Sequence, residues 1–366
     1  MADRHCDSIT GNDDNPGTAL LPFKTMAAGV AVAKGFAQGD RVILHNDEVV
    51  TVAVSLPAMS GRATINSIIG VNKVTGLEDG SRIKITQTGN VSWLSAGFTY
   101  QWSFRNFLVE GFTAAVPLAT TAAGAYGGAE WFNCKFSICA AISTPQLSSL
   151  SVFKQCIFED IAMSISLFNT AAAISKMINC TFRRVVSTVI AYALLFDEVV
   201  DCVVVDSSFA RYGVGVASGG IIDGLILDRI TISGTGNVDN ILCGNANNAN
   251  VTIKNILATN IVFSNTPTTT NKAVLGVFAS SIVHLTLSGL ATWNTGTADI
   301  IKKTSAAAIA GGVVVADNVV ALTETPWKND DGVIANPMSC YEYKESYAWR
   351  RKNQLLTDVS GWSYPV

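Results

Sequence analysis

Four short charged clusters recur at nearly even intervals in this chain: Glu159-Asp160, Arg183-Arg184, Asp206 and Asp228-Arg229. Paired carboxylates with a cation beside them can cleave sugars, one protonating the glycosidic oxygen while the other activates water. If the clusters stack on successive rungs about 4.8 Å apart, Asp160 and Asp206 stand roughly 9–10 Å from each other, which just suits an inverting glycosidase. Asp160, Arg184, Asp206 and Asp228 are therefore the catalytic candidates if the chain is an enzyme. The same alternation of sign also suits a salt-bridged edge that separates like charges on neighbouring rungs. Arg184, placed between Asp160 and Asp206, favours the second reading. It keeps both carboxylates ionised and so removes the proton a general acid must deliver. The reading carried forward assigns no catalytic residue.

Other chemistry is thinner. Cys134, Cys156, Cys180 and Cys202 share one repeat position and should form a column. Thiols stacked in this way can approach disulfide distance, but without export they stay reduced and serve as small apolar core residues. No CxxC pair or adjacent His accompanies them, so no metal is expected. Cys6, Cys139, Cys243 and Cys340 follow no pattern. Asp201 and Asp223 could sit on adjacent rungs as a calcium-dependent lyase requires, yet they belong to an inner Asn/Gln/Asp column that reads as a side-chain hydrogen-bond ladder. His5, His45 and His284 are far apart in sequence. Gly213-Val-Gly215 and Gly234-Thr-Gly236 read as turns, and GxSxG, HExxH and P-loop motifs are absent. No cofactor is implied.

The elements that must position these residues come from one repeated phrase. It reads Phe104-Arg-Asn106-Phe-Leu-Val109, Trp131-Phe-Asn133-Cys134-Lys-Phe136, Phe153-Lys-Gln155-Cys156-Ile-Phe158 and Met177-Ile-Asn179-Cys180-Thr-Phe182, then Val199-Val-Asp201-Cys202-Val-Val204 and Ile221-Ile-Asp223-Gly224-Leu-Ile226. From Asn133 its polar position advances by 22, 24, 22 and 22 residues, through 155, 179, 201 and 223. A fixed period of this size marks stacked repeats that bury their apolar faces against one another. Leucine-rich repeats need a Leu-x-Leu run before Asn, and helical repeats need sustained 3.6-residue periodicity; neither is present. Short Val, Ile, Phe, Thr and Cys runs broken by Ser, Asn, Asp and Gly are strands and turns. The fold class expected is all-β, a parallel β-helix, with residues 49–322 in the coil.

Composition agrees. Charged residues make up 14% of the chain and hydrophobic ones 49%, which describes a large dry core under a Ser, Thr, Asn and Ala surface. The net charge of −3, with Arg350-Arg351-Lys352 the one short basic run, argues against nucleic acid as a partner. No stretch reads as a membrane helix, and the opening Met-Ala-Asp-Arg-His-Cys-Asp lacks the apolar core of a signal peptide. The expectation is a protein that stays in the cytoplasm where it is made.

Residues 1–48 form a cap. Gly11-Asn-Asp13-Asp-Asn15-Pro-Gly17-Thr18 is turn chemistry, and Pro22-Phe23-Lys24-Thr25 suits a helix start. Phe23, Met26, Ala27, Val30, Ala31 and Lys34 follow helical spacing, Gly35 and Gly39 end the helix, and Asp40 leads into the strand Arg41–Leu44. This order, G-x-D-x-N-x-G-T, P-F-K-T, amphipathic helix, G-D-x-V, resembles the opening of right-handed parallel β-helix proteins of the pectate-lyase-like superfamily. That group includes polysaccharide lyases, glycoside hydrolases and many bacteriophage tail or surface proteins. The resemblance implies a right-handed, single-stranded coil. It implies little about activity, since one fold hosts many functions.

From Thr323 to Val366 the repeat is lost and aromatics concentrate: Trp327, Tyr341, Tyr343, Tyr347, Trp349, Trp362 and Tyr364. With too few aliphatics for a core of its own, this arm should lie against its own coil or another subunit. The functional expectation is a non-enzymatic virion protein of a tailed bacteriophage, decorating capsid or tail or forming part of a fibre, as a homotrimer bound to other phage proteins. Host surface polysaccharide is a further partner. The alternative is a depolymerase, glycoside hydrolase or lyase acting on that polysaccharide.

Overall fold

A computed structural model describes residues 2–31, 39–56, 65–94, 102–113, 116–117, 129–139, 142–143, 152–163, 176–187, 192–210, 212–232, 240–245, 251–263, 272–277, 281–293, 299–303, 309–310, 313–315 and 320–322. The aromatic arm, residues 323–366, lies outside them. So do Cys340 and Gly234-Thr-Gly236.

The chain is a parallel β-helix. Strands follow one another in register with the strand one turn away, and every named pairing is parallel. One face begins with Asp3–Cys6, Arg41–Leu44, Asn66–Gly70, Trp102–Arg105, Ala129–Phe132, Val152–Lys154 and Lys176–Ile178. The next face carries Glu48–Val50, Ile83–Gln87, Phe107–Glu110 and Lys135–Ser137, then the first halves of Ile157–Met163 and Thr181–Ser187. The inward positions stack like on like: Phe104 lies on Trp131 with ring centroids 4.1 Å apart, and Phe136, Phe158 and Phe182 stack at 5.1 and 4.7 Å. Each ring covers the apolar face of the turn below, so the core is continuous without being thick.

Two corners recur in every turn of the ladder, five residues apart, and both place a residue in the left-handed region. The first holds Asn106, Asn133, Gln155, Asn179, Asp201, Gly224 and Asn255; the second holds Gly111, Ile138, Asp160, Arg184, Asp206, Arg229 and Asn260. Asn and Asp tolerate this conformation best after Gly, which explains the polar position of the repeat. Backbone groups stay paired around the bend: Asn133 N–H donates to Lys154 O at 3.0 Å, Gln155 to Ile178 O at 3.0 Å and Asn179 to Val200 O at 3.0 Å.

The sixth copy of the phrase is displaced by one residue. Val200 pairs with Asp223, so Gly224 takes the corner and Leu225 takes the position of Cys202. The polar column is buried at Asn106 but faces outward from Gln155, with Gln155, Asn179 and Asp201 exposed; its ladder bonds include Asn133 Nδ2 to Asn106 Oδ1 at 2.8 Å and Asn255 Nδ2 to Asp223 Oδ1 at 2.7 Å. Gly213 and Gly215 lie inside the strand Tyr212–Asp223, not in a turn. Residues 91–94 form no strand; Leu94 makes a single bridge to Val54.

The cap helix α1 (Met26–Ala31) closes the first turn, burying Met26, Gly29 and Val30. Thr25 Oγ1 accepts from Ala28 N–H at 3.1 Å as an N-cap. The Asp13 carboxylate of the Asn/Asp/Gly cluster accepts from the N–H groups of Lys24 and Thr25 at 2.9 and 2.8 Å. Phe23 does not begin the helix as its spacing suggests; it bridges to Cys6 and covers the open edge of the first strand.

Candidate functional site

The second corner brings the charged clusters together, in two separate networks. Arg184 lays Nε and Nη2 on Asp160 Oδ1 and Oδ2 at 2.5 and 2.7 Å, and Nη2 also reaches Glu159 Oε1 at 2.8 Å. Glu159 receives Lys135 at 2.5 Å and Arg183 at 3.5 Å. Burial pushes the Glu159 carboxyl up, but the Lys135 hydrogen bond with the charges of Arg184, Lys135 and Arg183 outweighs it and holds the group below its ordinary value.

One turn further on, Arg229 clasps Asp206 through Nε and Nη2 and Asp228 through Nη1. Asp228 Oδ1 accepts from Thr259 Oγ1 at 2.7 Å and Asn260 Nδ2 at 2.8 Å. The residue beside Asp206 in the corner column is thus Arg229; Asp228 precedes it, in the outward column of Arg183 and Val205. Arg184 does not bridge Asp160 and Asp206 as the sequence suggests. Its planar fork is spent on Asp160 and Glu159, and Asp206 has its own arginine. Both oxygens of Asp160 and of Asp206 accept from one guanidinium, a bidentate geometry that fixes each carboxylate in place.

The cysteine column forms. Cys134, Cys156, Cys180 and Cys202 are free and buried, and their thiols donate to backbone carbonyls: Cys156 Sγ to Trp131 O at 3.4 Å, Cys180 Sγ to Phe153 O at 3.4 Å. Burial and the neighbouring thiols push Cys156 far above the ordinary thiol range. A thiol in that state is a core group, neither nucleophile nor ligand. Among the described residues no group of three or more His, Cys, Asp or Glu could hold a metal ion. Asp201 and Asp223 are not equivalent positions, because Asp223 sits one place before the corner.

Two features escape a reading by sequence distance. His5 and His45 meet on adjacent turns, Nδ1 of one 2.8 Å from Nε2 of the other, with rings 5.1 Å apart. Glu48 is buried beneath the cap helix and accepts from Met26 N–H at 3.0 Å; burial raises its pKa to about 7, against the pull of that bond. The five-residue offset between the two polar columns was the signal that could have placed Arg229 and Asn260. The side chain of His284, and the arm residues Trp327, Tyr341, Tyr343, Tyr347, Trp349, Trp362 and Tyr364, lie outside the described residues.

No protein-family model matches the chain, and no curated protein does. Among solved structures it is similar to the GH136 lacto-N-biosidase from Eubacterium ramulus, at 10% identity and a TM-score of 0.34, over 85% of this chain and 68% of that one. It is also similar to a rhamnogalacturonan lyase, at 11% identity and a TM-score of 0.24, over 92% and 95%. A likeness at this level carries no activity over to this chain.

Proposed function

We propose that this chain is a non-catalytic structural protein of a tailed-bacteriophage virion. In this reading a parallel β-helix decorates the capsid or tail, or forms part of a fibre, as a homotrimer, with host-surface glycan as its second contact. The observation that carries the reading is the state of the second corner. The carboxylates placed to cleave a glycoside, Asp160 and Asp206, are each held by both oxygens on an arginine. Carboxylates so engaged tie one turn to the next instead of standing open to a substrate. Side chains that line rungs in this way brace a scaffold. The arm 323–366, rich in Tyr and Trp and poor in aliphatic residues, suits attachment to a neighbour.

Purified particles supply the test. The protein should copurify with intact virions at fixed copy number, and deletion of 323–366 should abolish attachment while circular dichroism shows the coil still folded. Unchanged trimerisation and particle binding in the deletion sink the reading. A depolymerase forecasts the reverse: haloes or released reducing sugar on capsule or lipopolysaccharide, lost in Asp206→Asn.

A further inference from the structure

The two ends of the coil differ. At the N-terminal end α1 closes the first turn, and the chain before the helix takes up the edge of the first strand. His5 N–H donates to Gly17 O at 2.8 Å, Phe23 N–H to His5 O at 2.9 Å and Asp7 N–H to Phe23 O at 2.8 Å. At the other end the last turn runs through Asp299–Lys303, Ile309–Ala310, Val313–Val315 and Val320–Leu322. Each of these pairs on one side only among the described residues, the first with Lys272–Val277 and the other three with successive parts of Ser281–Trp293. Together they make an open sheet edge that points away from the coil.

That end is apolar by register as well as open. Ile301 continues the column of Val214, Val313 that of Ile256, Val315 that of Ala258 and Ala321 that of Ile232. Val214, Ile256, Ala258 and Ile232 are all buried. A solenoid that stopped at Leu322 would present its core in cross-section to water, beside backbone groups ready to pair with another chain. Terminal turns need a polar outer cover for this reason.

The chain itself leads to the occupant. Residue 323 follows the last strand directly, and residues 323–366 span twice the 22-residue advance of the ladder. Their composition is that of a lid. Three tryptophans and four tyrosines supply broad rings with an apolar body and a polar tip. Eleven residues of the segment are charged, about one in four, against 14% of the whole chain, which suits an outer face turned to water. Pro326 and Pro337 cannot donate to a ladder, so the segment can close the end without building another open turn. A segment joined to the end it covers acts at an effective concentration on the order of millimolar, which favours it over a separate copy. We infer that residues 323–366 seat on the last turn of their own coil and cap it. The inference goes beyond the virion reading and does not depend on it, because the outer face of a seated lid stays open to a particle.

The full chain carries its own probes. Lys302 and Lys303 lie in the last turn, and Lys344 and Lys352 in the segment. In a mixture of isotopically heavy and light chains, an amine-reactive cross-linker should join the two sets within single chains only. Hydrogen exchange across 299–322 should be at least tenfold slower in the full chain than after deletion of 323–366, with exchange across 129–187 unchanged as the control for a folded coil. Links that mix heavy and light chains overturn the inference and place the segment on a neighbour's coil. Equal exchange across 299–322 in the two proteins overturns it outright. If the deletion variant fails to fold, exchange of 323–366 in the full chain decides. Free-peptide rates reject the lid, and slowing of at least tenfold upholds it.

Discussion

At the scale of single residues, backbone conformation sorts the corner positions into favourable and costly. Ile138 has φ 52° with a branched Cβ and a side chain 60% exposed, so little burial compensates for its left-handed conformation. Its equivalents are glycine, aspartate, arginine and asparagine. Ile138→Asn should therefore stabilise the coil by about 1 kcal/mol, read as a higher urea midpoint at unchanged slope. A lower midpoint would mean that the isoleucine makes a contact worth more than its strain. Gly224 is the converse case. Its φ is +71°, and a Cβ there would fall 2.4 Å from Asp201 Oδ1, so Gly224→Ala should cost stability.

At the scale of elements, two kinds of ion pair hold adjacent strands and they are not equal. Lys176 and Glu198 face one another across directly paired strand positions, with side chains 39% and 26% exposed. Such a pair contributes less than about 1 kcal/mol. Asp206 is nearly fully buried beside Arg229. Removing Arg229 leaves that carboxylate unpartnered, which costs on the order of 3–5 kcal/mol, whereas replacing both members can be close to neutral. Chemical denaturation of Arg229→Met, and of Arg229→Met with Asp206→Asn, should show a large loss and then recovery. Equal losses in the two variants would mean that the corner is held by packing and not by the pair.

At the scale of the whole molecule, a solenoid is only as sound as its ends, and the N-terminal end contains groups that titrate in opposite directions. Burial, reinforced by the adjacent His45, depresses His5; burial also depresses His45. Their contribution is present above the ordinary histidine value of 6.5 and is lost as pH falls through the lower folded values. Glu48 behaves oppositely. Raised from 4.5 to about 7, its contribution is present below 4.5 and is lost as pH rises through 7, a swing on the order of 3 kcal/mol. Thermal melts at pH 5 and pH 8 should separate them. His45→Asn should lessen the loss on the acid side, and Glu48→Gln, which keeps an acceptor for Met26 N–H, should lessen the loss at pH 8. A Glu48→Gln variant with the wild-type pH profile would show that the carboxylate is hydrated in place.

The coil was legible in the order of residues because its cause is local. Asn, Gln or Asp at a left-handed corner, an apolar residue on either side and a small thiol after it repeat turn by turn, and each turn packs only on its neighbours. The cap helix was legible for the same reason, since Asp13 and Thr25 act within one short stretch, although it starts at Met26 and not at Pro22. Pairing partners across turns were not. Asp223 and Gly224 both fit the phrase, and the register of Val200 on Asp223 decided between them. Arg184 lies equally between Asp160 and Asp206 in sequence, and only side-chain geometry committed it to Asp160 and left Asp206 to Arg229. The meeting of His5 with His45 likewise depends on what lies one turn away. Composition and period determine that a coil forms; which charges meet, and which aliphatics are left facing solvent, follow from the register of stacked turns.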